Sequence, residues 1–169
     1  MKQLFITLFL FSSVSLFSQD DCPCCNEYNK QFDFWIGEWV VYDTAGNIVG
    51  ENTIKKVERG CLLTEEWKGS KGGTGRSINF FDRTDSTWNQ TWVDNSGNTL
   101  ILKGNLIDNS MVLQSELIEG TRVDFYKNRI TWTPENDKSV TQKWEILDKN
   151  DNLLQLLFLG IYKTKNHEN

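Results

Sequence analysis

Between Trp35 and Lys163 the chain alternates β-type runs with short turn signals, and no stretch holds a helical period beyond two turns. The spacing predicts strands over residues 35–43, 48–58, 61–68, 76–81, 87–93, 98–107, 111–118, 119–133, 139–147 and 153–163. The breaks between them carry turn chemistry, as in Thr44-Ala45-Gly46-Asn47, Arg59-Gly60, Asp94-Asn95-Ser96-Gly97 and Pro134-Glu135-Asn136-Asp137. Ten strands joined by short hairpins form an antiparallel meander. Left open, such a sheet exposes two edges, and closure removes both. The expected fold is all-β: a closed antiparallel up-and-down barrel of about ten strands. A two-sheet sandwich is the alternative architecture.

The segment Phe32-Asp33-Phe34-Trp35-Ile36-Gly37-Glu38-Trp39 starts this pattern and packs four aromatic rings into eight residues. A short turn bearing Phe32 and Phe34 is expected to plug one end of the barrel. The first strand then begins at about Trp35, and Gly37 lets the backbone pass close to the plug. Trp39 shares a face with Gly37, so it is expected to point inward at the floor.

Ahead of this segment, Lys2, the apolar run from Leu4 to Phe11 and the small and polar residues after it read as a secretory signal peptide. Cleavage is expected after Ser18, leaving residues 19–31 as a cysteine-containing tail and 32–165 as the barrel domain. Gln19-Asp20-Asp21 ahead of Cys22 is the wrong chemistry for lipid attachment, so a soluble chain, periplasmic or secreted and without a membrane anchor, is expected. Removing the signal takes away one of 18 basic residues, which leaves 17 against 23 acidic ones. That mildly acidic balance argues against nucleic acid as a partner. Oxidising conditions and an even cysteine count predict disulfides among Cys22, Cys24, Cys25 and Cys61. One member of the N-terminal cluster is expected to reach Cys61, and the other two to close on each other; direct pairing of Cys24 with Cys25 would strain the backbone. The spacing matches no standard zinc pattern.

Several further motifs extend the pattern: Gly60-Cys61, Glu65-x-Trp67, Gly75-x-Ser77-x-Asn79 and Trp88-x-Gln90-x-Trp92-Val93-Asp94 followed by Gly97. With the aromatic segment at 32–39, they resemble exported, functionally uncharacterised bacterial proteins with a lipocalin-like (calycin-type) β-barrel domain. The resemblance runs from Phe32 to about Gly104 and thins out beyond. It implies a ten-stranded barrel with a central cavity and says almost nothing about activity.

Alternation assigns Glu65, Trp67, Asn79, Gln90, Trp92, Gln142 and Trp144 to the inner face, together with Ser77, Phe81, Trp88, Asp94, Val140, Ile146, Phe158 and Tyr162. Amides and a carboxylate among aromatic rings are how small-molecule sites are built, and buried without partners they would cost about 1–3 kcal/mol each. The first seven are therefore candidate ligand-binding residues for a small apolar or amphipathic molecule. The alternative is that these polar groups satisfy one another in a filled barrel serving structure or interaction alone. Catalytic constellations are poor. The single histidine, His167, falls in the polar tail, which leaves no Ser-His-Asp triad and no histidine-rich metal centre, and weakens the case for haem binding of the kind a related ten-stranded family achieves with a histidine ligand. A hydrolase or isomerase would have to work through Glu65, with Asp94 or the amides beside it. The Gly-rich stretch 69–75 lacks the strand-loop-helix context of a phosphate loop and reads as a flexible loop at the barrel mouth. No cofactor is implied.

Overall fold

The computed structural model describes residues 22–121 and 123–165. The expected signal peptide and His167 lie outside the described residues. The described residues form eleven strands: β1 (Gly37–Tyr42), β2 (Ile48–Val57), β3 (Leu62–Gly69), β4 (Thr74–Asp82), β5 (Thr87–Asp94), β6 (Thr99–Ile107), β7 (Ser110–Gln114), β8 (Ile118–Glu119), β9 (Phe125–Pro134), β10 (Val140–Leu147) and β11 (Leu153–Thr164). All pairings are antiparallel. β7 skips to β9, β9 pairs with β10, and β11 returns to β1 in the register Trp39↔Thr164 and Val41↔Tyr162. Ten strands thus close into a barrel, and β8 adds a short rung to the start of β9.

Alternation follows the expected faces. On β4, Gly75, Ser77 and Asn79 are buried while Arg76 and Ile78 face out. Trp39 points inward and is buried, its indole N–H donating to Trp35 O at 2.9 Å. Two expectations are corrected. The strand expected over 111–118 stops at Gln114, because the Ser115 hydroxyl accepts the Asn128 N–H at 2.9 Å, where a ladder carbonyl would otherwise sit. The chain then leaves the wall, makes β8, and rejoins as β9 only at Phe125. The first strand begins at Gly37 rather than Trp35, because Asp33–Trp35 forms a 3₁₀ turn.

That turn also changes the make-up of the plug. Residues three apart eclipse in a 3₁₀ turn, so Phe32 and Trp35 stack, with centroids 4.9 Å apart. Both are fully buried, whereas Phe34 is only half-buried at their side. Phe32 meets Trp88 and Trp132 edge-on at 5.6 and 5.2 Å, and these rings form the floor. The preceding tail is bound to the same end of the barrel. Cys24 pairs with Cys61 just after the β2–β3 turn, and Cys22 pairs with Cys25. Lys56 Nζ meets Asp33 at 2.5 Å and Asn29 O at 3.0 Å, and Trp88 Nε1 donates to Gln31 at 3.1 Å.

The opposite end is formed by the β1–β2, β3–β4, β5–β6, β7–β9 and β10–β11 connections. Three of these repeat one device. Asp43, Asp94 and Asp148 each accept backbone N–H groups two and four residues on, and an asparagine four residues on (Asn47, Asn98, Asn152) donates its amide back. Asp94 is therefore a turn carboxylate, its oxygens engaged by the hairpin it opens, and not a wall residue paired with Glu65. The Gly-rich stretch is shorter than expected, since β3 runs through Gly69, β4 starts at Thr74, and Gly69 N–H closes the turn on Gly73 O at 2.7 Å. Among the described residues, no helix is long and apolar enough to cross a membrane.

Candidate functional site

Among the described residues, the interior opens toward the end that carries the Asp43, Asp94 and Asp148 turns. A cavity of about 240 Å³ lies there, walled by Trp67, Trp92, Trp144 and Phe158, with Glu65, Gln142 and Tyr162 lining its polar part. The same three tryptophans also line a wider outer cleft of about 760 Å³ reaching the 94–98 turn, Ser115 and Tyr126.

Small residues in the wall seat the rings. A Cβ on Gly50 would come within 2.5 Å of the Trp67 ring, and one on Gly75 would overlap the Trp92 ring. On β11, a Cβ on Gly160 would stand 2.5 Å from Phe158. The indole N–H of Trp144 donates to Asn128 Oδ1 at 2.9 Å, which fixes its plane. In β11 the register shifts between Trp144↔Phe158 and Glu145↔Leu156, and the extra residue, Leu157, lines the cavity. Gly75→Ala should displace Trp92 and cost about 1–3 kcal/mol, as overpacking usually does. A chemical-denaturation midpoint matching wild type would show that the ring has room to move.

A continuous polar chain crosses the wall beneath these rings. Gln90 Nε2 donates to Asn79 Oδ1 (2.8 Å), and Asn79 Nδ2 donates to Ser77 Oγ (2.8 Å). Ser77 Oγ donates to Glu65 Oε2 (2.6 Å), and Asn52 Nδ2 donates to Glu65 Oε1 (2.7 Å). Tyr162 O–H, in reach of Asn52 at 3.5 Å, donates to Gln142 Oε1. All seven residues are buried. The candidates of the sequence reading thus divide by depth. Glu65, Trp67, Trp92, Gln142 and Trp144 meet around one cavity. Asn79 and Gln90 lie deeper, where they satisfy one another and brace Ser77 against Glu65. Asn52 was missed altogether, although a polar residue alternating with Gly50 and Ile54 on β2 was a usable signal. Tyr162 and Phe158 were placed on the inner face but not in the site.

Burial pushes the Glu65 carboxyl up to about 7, against the lowering effect of the Ser77 and Asn52 hydrogen bonds. Burial, and then the charge of Glu65, hold the Tyr162 hydroxyl well above its ordinary range. Folded Glu65 keeps its proton to higher pH than the unfolded chain does, so its contribution to stability is complete below the unfolded value of 4.5. It is lost as pH rises toward about 7. The surface aspartates with lowered pKa, among them Asp43, Asp94 and Asp148, act in the opposite sense and only at more acid pH. Wild type should therefore lose on the order of 3 kcal/mol relative to Glu65→Gln between pH 4.5 and 7. Parallel denaturation curves across that window would refute the shift.

Among the described residues, no group of three or more His, Cys, Asp or Glu side chains is placed to hold a metal ion. The fold and the site together define a closed ten-stranded antiparallel barrel, consistent with a calycin-like fold, sealed at one end and open to an aromatic-walled cavity at the other. No protein-family model matches the chain, and no curated protein matches it.

Proposed function

We propose that the protein is an exported binding module that holds a small apolar or amphipathic molecule in the open end of its barrel, as a member of the uncharacterised calycin-type class it resembles. The observation that carries this reading is the cavity itself, with ring faces braced by glycines and a few buried polar groups at its base. Leu153, Leu154, Leu156 and Leu157 at the exposed start of β11 give an apolar approach to it. Export, with residues 1–18 removed, is supported by the two disulfides. The ligand-binding residues in this reading are Glu65, Trp67, Trp92, Gln142 and Trp144, with Phe158 and Tyr162 added, while Asn79 and Gln90 act as support.

Titrating an environment-sensitive apolar probe should quench or shift tryptophan emission with a Kd in the micromolar range, about −8 kcal/mol. Trp92→Ala should weaken that binding by about tenfold or more, the scale of losing one ring's apolar contact. A broad ligand screen that stays silent on folded protein would favour the ligand-free structural alternative.

One observation favours a second reading. A buried carboxylate titrating at about 7 is poised to take a proton from a bound substrate, as an isomerase or hydrolase base would. Turnover lost in Glu65→Gln with binding retained would establish it.

A further inference from the structure

We propose that the polar end of the ligand is cationic: the cavity is built for a hydrophobic amine, with its ammonium group on Glu65 and its apolar chain between Trp67, Trp92 and Phe158. This rests on the binding reading above and names the ligand class for the same site.

Among the described residues, Glu65 lacks a partner of opposite charge. Its two oxygens accept from neutral donors only, Ser77 Oγ at 2.6 Å and Asn52 Nδ2 at 2.7 Å. A carboxylate offers about four acceptor positions, so roughly half remain unused. None of the ion pairs among the described residues includes Glu65, and the cavity lining contains no Lys, Arg or His. Facing Glu65 from β2, β4 and β11 are Asn52, Ser77 and Tyr162, of which only Tyr162 titrates, far above neutrality.

The surrounding deficit has the same sign. Asn52 Oδ1 is buried with no donor, next to the amide nitrogen that holds Glu65, and the Gln142 oxygen is already occupied by Tyr162. The site is therefore short of donors and of positive charge. An ammonium group supplies both, whereas a carboxylate or phosphate head would face Glu65 with no cation to balance it. Ring faces suit the same guest, since a desolvated cation over indole or phenyl is attracted by the ring quadrupole.

The test uses the intact oxidised protein and three probes of equal tail, decylamine, 1-decanol and decanoate, followed by calorimetry below the micelle concentrations of the amine and the carboxylate and the solubility limit of the alcohol. Decylamine is expected to bind at least about tenfold tighter than decanol, with decanoate weakest. Glu65→Gln should bring the amine-to-decanol affinity ratio down to about one. Should that variant fail to fold, the wild-type pH profile decides instead. The amine-to-decanol affinity ratio should climb between about pH 5.5 and 8 as Glu65 ionises, and a flat ratio would overturn the proposal. Decanol binding as tightly as the amine would overturn the cationic class while leaving the binding module intact. Silence from all three would overturn both.

Discussion

Trp35→Ala is expected to lower the unfolding free energy by about 3–5 kcal/mol, the scale of removing a fully buried aromatic side chain. Trp35 stacks on Phe32 and lies 5.2 Å from Trp132, so its loss leaves a hole in the middle of the floor. The indole N–H of Trp35 is buried without an acceptor, and so is that of Trp132. Trp35→Phe therefore removes a donor that gains nothing in the folded state, and should cost well under half as much as the alanine. The contrast separates packing from hydrogen bonding. Equal losses in the two variants, read from urea denaturation, would mean that the indole nitrogen has a partner after all.

Removing the Cys24–Cys61 bridge by paired alanine substitutions should cost about 2–4 kcal/mol, because it closes a loop with a sequence separation of 37. The Cys22–Cys25 bridge spans a separation of only 3 and should contribute less. The larger bridge also holds the tail whose 3₁₀ turn carries the plug. Amide exchange at residues 28–35 should accelerate in the bridge variant by more than at the mouth turns 43–47 and 94–98. If protection of residues 28–35 were unchanged, the tail would be held by Lys56–Asp33 and the aromatic packing alone, and the staple would be redundant.

The number of barrel strands and most hairpin positions were legible because both are written locally. Period-two alternation sets the face of each side chain, and Asp, Asn and Gly set the hairpins, so the barrel could be anticipated from the run spacing alone. The ends of elements were less legible. Ser115 takes a ladder position with its hydroxyl, and nothing in the run 111–118 signals that substitution. Trp35 reads equally well as the first residue of a strand or the last of a 3₁₀ turn; its stacking on Phe32 favours the turn.

By itself, then, the chain's pattern of alternation, turn residues and cysteines determined an all-β closed barrel, an aromatic plug beginning at Phe32, a bridge to Cys61, and a set of inward polar side chains. Only the tertiary structure decided which cysteine makes that bridge and which polar groups meet. Facing inward is a local property, but depth along the barrel axis depends on the register of every neighbouring strand. Register places Asn79 opposite Gln90, deep in the wall, and Asn52 opposite Trp67, beside Glu65. It also sets the Trp67 and Trp92 rings over Gly50 and Gly75, where the absence of a Cβ leaves room for them. A cavity exists where those rings stop, and no single strand carries that information.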